Sequence, residues 1–139
     1  MRAGCCVVGG GPAGMMAAML FARAGVSTVL LEKHGDFLRD FRGDTIHPST
    51  LEVMNELGVL ESFLQRPHQE VTTLSGNLGD SLITVADFTK LPTRCKFLAF
   101  MPQWDFLNFL AEEAKRFPCF DLRMQARVEE LIWENGSVA

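Results

Sequence analysis

A chain of 139 residues can bury a substantial core without metals or disulfides, and 47% hydrophobic against 22% charged residues lies well outside the disordered range. The formal net charge is −4, and the 13 Lys and Arg residues form no basic run, so nucleic acid is excluded as the main partner. Four cysteines, Cys5, Cys6, Cys95 and Cys119, lack C-x-x-C spacing and read as buried free thiols of a cytoplasmic protein.

Residues 3–22 carry no charge and run into Ala-Arg-Ala at 22–24, which imitates a signal peptide with its cleavage site. The glycines and proline of GGGP interrupt that run, whereas a membrane-inserted helix must be continuous to satisfy its backbone. A strand, a glycine turn and a helix account for the same residues, and no membrane span is expected. Ala3 to Val8 reads as a uniformly apolar strand, central and parallel. Pro12 suits a first helical turn, Ala13 to Ala24 is rich in helix formers, and Gly25 stops the helix. Ser27 to Leu31 is again apolar and β-branched, and ends at Glu32. The result is one βαβ unit.

A polar loop from Lys33 to His47 precedes a helix, for which Ser49 and Glu52 supply a capping box and Gly58 a stop. Val71 to Ser75 and Leu82 to Phe88 flank Gly-Asn-Leu-Gly and predict a β-hairpin. Lys96 to Met101 predicts a strand. Trp104 to Phe117 carries apolar residues at helical spacing, with Pro118 beyond its end. Its aromatics read as core. Phe120 to Met124 and Ala126 to Trp133 are expected to be strands. Asn135-Gly136 is a strong hairpin signal with three residues after it, so the chain reads as one domain, residues 1–139, truncated at its C-terminus.

Gly9, Gly11 and Gly14 stand at G-x-G-x-x-G spacing between the first strand and the first helix. In such a turn Gly9 permits the sharp exit from the strand, Gly11 lets backbone approach a pyrophosphate, and Gly14 lets the helix pack closely. Helix amides then face the phosphates at the positive end of the dipole. Glu32 closes the second strand, where a carboxylate can accept hydrogen bonds from ribose hydroxyls. A dinucleotide site follows, and both NAD and FAD use this unit. His34, His47 and His68 share no metal-ligand spacing with each other or with the cysteines, so no metal site is expected.

VVGGGPAGMMAAMLFARAGVSTVLLEKH resembles the N-terminal fingerprint of FAD-dependent oxidoreductases. DFRGDTIHPSTLEVMNELGVLE and MPQWDFLNFL resemble, more narrowly, the para-hydroxybenzoate hydroxylase-like family of flavoprotein monooxygenases. The resemblance implies an α/β fold: a Rossmann-like βαβ FAD-binding domain with a β-hairpin insertion, forming the N-terminal portion of a larger flavoprotein. It assigns Gly9, Gly11, Pro12, Ala13 and Gly14 to the pyrophosphate, Glu32 to the adenosine ribose, and Lys33 to its neighbourhood. It further assigns Arg42, with Arg39 as the alternative register, to the FAD phosphates, Gln103 to the ribityl and phosphate region, and Val128 to the adenine. The implied enzyme uses FAD, NAD(P)H and oxygen to hydroxylate a small aromatic substrate, and the sequence offers no residue to name as catalytic. Flavin halogenases or reductases of the same fold, a non-catalytic dinucleotide-binding module and an NAD-dependent dehydrogenase domain are the alternatives.

Overall fold

The structure, a computed structural model, describes residues 3–38, 43–134 and 136–138. In chain order its elements are β1 (Cys5–Val8), α1 (Pro12–Arg23), β2 (Thr28–Leu31), β3 (Thr45–Ile46), α2 (Pro48–Glu56), α3 (Leu60–Leu64), β4 (Gln69–Val71) and β5 (Thr73–Leu78). Then follow β6 (Ser81–Asp87), β7 (Leu98–Phe100), α4 (Gln103–Ala114), β8 (Phe120–Arg123), β9 (Trp133–Glu134) and β10 (Ser137–Val138). Two compact units emerge, Met1–Leu38 with Leu107–Ala139, and Arg39–Phe106.

The first unit is the βαβ unit with one strand added. β1 and β2 pair in parallel, and β8 joins β2 in parallel on its other side. α1 buries Met15, Ala18, Met19 and Ala22, an i, i+3, i+4, i+7 stripe that the run of Ala and Met supplies. Gly25 adopts φ +80 just past its end, which ends the helix where the sequence predicts. β1 is parallel as expected, but among the described residues it pairs only with β2, and Val8 at its end is 58% exposed.

In the second unit β7 lies between β3 and β4, antiparallel to both, and β5 pairs with β6 as a separate hairpin. α2 and α3 bury Leu51, Met54, Leu60 and Phe63. The expected capping box does not form. His47 occupies the N-cap without a side-chain bond, Pro48 takes the first helical position, and the Glu52 carboxylate instead accepts the backbone N–H of Arg94 at 2.9 Å. Pro48 shifts the helix start ahead of Ser49, so Ser49 and Glu52 are already inside the helix. The hairpin turns two residues later than Gly-Asn-Leu-Gly suggests, at Gly79 and Asp80, with Leu78 opposite Ser81 and φ +61 at Gly79.

Two further expectations are corrected. Residues 126–132 form no strand, and only Trp133–Glu134 pairs, with Ser137–Val138 across the turn at Gly136. Alternating apolar residues there encounter no partner strand among the described residues. The cysteines are free as expected, but only Cys95 is buried, while Cys6 is exposed and Cys5 and Cys119 are half-buried. Among the described residues no helix is long and apolar enough to cross a membrane, and no group of His, Cys, Asp and Glu could hold a metal ion.

Candidate functional site

The site is built where β1 hands over to α1. Gly9 has φ +101, a left-handed conformation that glycine adopts without strain, and its N–H bonds to Leu31 O at 2.8 Å. The strand exit is thereby tied to the neighbouring strand. A Cβ on Gly14 would lie 2.0 Å from Gly9 O and 3.5 Å from Val7 Cγ1, so no other residue allows the helix this close to the turn. A Cβ on Gly11 would meet nothing within 4 Å, and Gly11, Pro12 and Ala13 are exposed. Open space lies where a ligand must approach.

Helix α1 starts without a side-chain cap and without an acidic residue in its first turn. Its first intrahelical bond runs from Met15 N to Gly11 O at 2.8 Å. The amides of Ala13 and Gly14 precede that bond, at the positive end of the helix dipole, where an anion is favoured. This cradle fits a pyrophosphate.

Glu32 follows β2 and is only 6% exposed. Its Oε2 accepts the Gly10 N–H at 2.8 Å and its Oε1 accepts the His34 N–H at 2.9 Å. Main-chain bonds from Glu32 N to Arg123 O, 2.9 Å, and from Ala126 N to Glu32 O, 2.8 Å, pin the residue to the chain leaving β8. The carboxylate therefore stands beside the glycine turn. A carboxylate offers about four acceptor positions, so ribose hydroxyls can share it with the two amides.

The structure thus brings Gly9, Gly11, Pro12, Ala13, Gly14 and Glu32 together in one unit, with Lys33 exposed next in sequence. Val128 belongs to the same unit and is half-buried, in an irregular segment rather than a strand. Gln103 is the first residue of α4, half-buried, in the second unit. Arg42 and Arg39 lie outside the described residues. Sequence reasoning missed Gly10, the buried glycine whose N–H meets Glu32 and whose Cβ would lie 3.2 Å from Glu32 Cβ, Glu32 Oε2 and Phe37 Cε1. The signal was visible as a fourth glycine inside GGG, at a position the motif leaves unspecified.

A strand, a glycine turn open to an anion, a helix N-terminus and a buried carboxylate at the end of the next strand define a dinucleotide-binding βαβ unit. Residues 2–139 match the FAD binding domain family. The chain belongs to that family, and FAD is its cofactor. It is 34% identical over 134 residues to a 6-methylpretetramide 4-monooxygenase of Streptomyces rimosus, covering 96% of this chain and 32% of that protein. The crystal structure of p-nitrophenol 4-monooxygenase from Pseudomonas putida DLL-E4 superposes with a TM-score of 0.81 at 25% identity, over 96% of this chain and 34% of that one. A 1H-pyrrole-2-carbonyl-[peptidyl-carrier protein] chlorinase of Pseudomonas fluorescens is 42% identical over 55 residues, 40% of this chain and 12% of that protein. The chain spans about a third or less of the length of these relatives.

Proposed function

We propose that this chain is the FAD-binding portion of a flavoprotein monooxygenase that hydroxylates a small aromatic molecule in the cytoplasm, with NAD(P)H as reductant. The observation that carries the reading is the match over nearly the whole chain to a monooxygenase, joined to a glycine turn whose open side fits a pyrophosphate. When bound, FAD supplies the redox chemistry, accepting electrons from NAD(P)H and activating oxygen. The residues of this chain bind and orient it. Gly9, Gly11, Pro12, Ala13 and Gly14 hold the pyrophosphate against the start of α1, and Glu32 accepts the adenosine ribose with Lys33 alongside. Val128 belongs at the adenine, Arg42 at the phosphates and Gln103 at the ribityl chain.

A halogenase is the second reading, favoured by the chlorinase relative. The two are separated by turnover of the full-length gene product with FAD, NADH or NADPH, and ¹⁸O₂, given a panel of phenols and chloride. One heavy oxygen atom in the product, found by mass spectrometry, is the expected result. A chlorinated product with no oxygen incorporated establishes the halogenase instead. The 139-residue chain alone is expected to bind the ADP half of FAD and to release no hydroxylated product.

A further inference from the structure

The carboxylate of Glu32 does more in this structure than wait for a ribose. Its two oxygens each take a backbone N–H, from Gly10 at 2.8 Å and from His34 at 2.9 Å, and the Gly10 bond is buried. Gly10 is buried with its N–H bonded to the Glu32 carboxylate, while Gly11 beside it is exposed, with open space where a Cβ would stand. Glu32 is itself fixed at both ends of its own peptide unit, through Arg123 O and Ala126 N. A rigidly held acceptor therefore fixes the middle residue of the glycine turn.

We propose that Glu32 is a positioning residue for the pyrophosphate turn, holding the Gly10 amide inward so that Gly11 and the start of α1 face the phosphates, whether or not a ribose hydroxyl is present. The proposal rests on the assignment of this turn to the FAD pyrophosphate. It separates two roles that sequence comparison merges. A residue that served the ribose alone would matter only to ligands that carry ribose hydroxyls. A residue that shapes the turn matters to every ligand with phosphates.

Glu32→Gln keeps the shape but replaces one oxygen with an NH₂ donor. Two backbone donors then share one oxygen, and either Gly10 or His34 is left facing another donor. Gly10→Ala disturbs the same joint from the other side, because the added methyl lies 3.2 Å from Glu32 Oε2 while the carboxylate stays intact.

The experiment is isothermal titration of the wild-type chain and both variants with ADP and with 2′,3′-dideoxy-ADP, which has phosphates but no ribose hydroxyls. Thermal melting followed by circular dichroism checks that each variant is folded. Wild type is expected to bind both ligands, and Glu32→Gln to bind dideoxy-ADP about tenfold more weakly, with a larger loss for ADP. Gly10→Ala is expected to weaken both ligands by a similar factor and to keep the wild-type ratio between them. In the ligand-free protein, amide exchange at Gly10 is expected to quicken in Glu32→Gln. Equal affinity of wild type and a folded Glu32→Gln for dideoxy-ADP, or unchanged protection of the Gly10 amide, overturns the proposal. If Glu32→Gln does not fold, normal dideoxy-ADP affinity in Gly10→Ala overturns it. Failure of wild type to bind either ligand overturns the FAD assignment, and the proposal with it.

Discussion

Gly11 and Gly14 look alike in the sequence, yet they stand in opposite surroundings. A methyl on Gly14 would collide with Gly9 O, a backbone atom that cannot swing away, so Gly14→Ala is expected to cost about 3 kcal/mol or more, read from urea denaturation. Gly11 has ordinary φ and empty space at its Cβ position. Gly11→Ala should therefore change stability by about 1 kcal/mol or less, the usual cost of losing a glycine N-cap. The close packing at Gly14 could be read from motif spacing, because steric exclusion follows from the turn itself. Gly10 could not, since its partner Glu32 is 22 residues away and only the fold joins them. The thiols make a second test at this level. Burial pushes the Cys95 thiol above its ordinary range, which lowers its thiolate fraction at pH 8, whereas Cys6 is exposed. Iodoacetamide is expected to label Cys6 first and Cys95 last, with the difference vanishing in urea. Fast labelling of native Cys95 would show that it is accessible after all.

The elements of the βαβ unit were legible because each has a local cause: an apolar run for β1, Pro12 and an Ala-Met stripe for α1, and Gly25 as its stop. α2 was legible as a helix but not at its start. The Ser49 and Glu52 pair satisfies the capping-box pattern, yet Pro48 moves the N-terminus one residue earlier than Ser49, and a loop residue far along the chain claims Glu52. Ser49→Ala is accordingly expected to change stability by no more than about 0.5 kcal/mol. A loss of about 1 kcal/mol, the ordinary value for removing a helix cap, would mean that Ser49 caps the helix in solution. α3 was missed because five residues are too few to show a helical period. The segment 126–132 forms no strand for a related reason: alternation marks a strand only where a neighbour pairs with it, and none does among the described residues.

At the scale of the whole molecule, several large apolar side chains stand exposed among the described residues. In the β5–β6 hairpin, Leu74, Gly76, Leu78, Ile83 and Ala86 share one face by their cross-strand pairing, and Val85 lies on the same side, 3.8 Å from where a Gly76 Cβ would stand. The other face carries Thr73, Ser75, Asn77, Thr84 and Asp87, with Leu82 as its one large apolar residue. Leu78 is 72% and Val85 75% exposed, so the apolar face is open. The chain is expected to bind the dye ANS in its native state, and Leu78→Thr with Val85→Thr to reduce that fluorescence while leaving ADP affinity unchanged. Undiminished fluorescence in the double variant would place the dye elsewhere. That two strands pair here was legible from the sequence, but not the register of their turn, nor that the hairpin's apolar face is exposed, nor that β1 pairs with β2 alone among the described residues. The last two are properties of what surrounds an element, and one sequence reports only the element.

The reading of the glycine turn as the seat of the FAD pyrophosphate is decided by one comparison: isothermal titration of FAD and of ADP into the 139-residue chain and into Gly11→Val. A Cβ there meets no protein atom within 4 Å, and the branched side chain of valine extends into the space left for the phosphates. The wild-type chain is expected to bind both ligands with one site each, and the folded variant to bind neither. Equal binding by Gly11→Val would show that the phosphates lie elsewhere and that GGGPAG is only a turn.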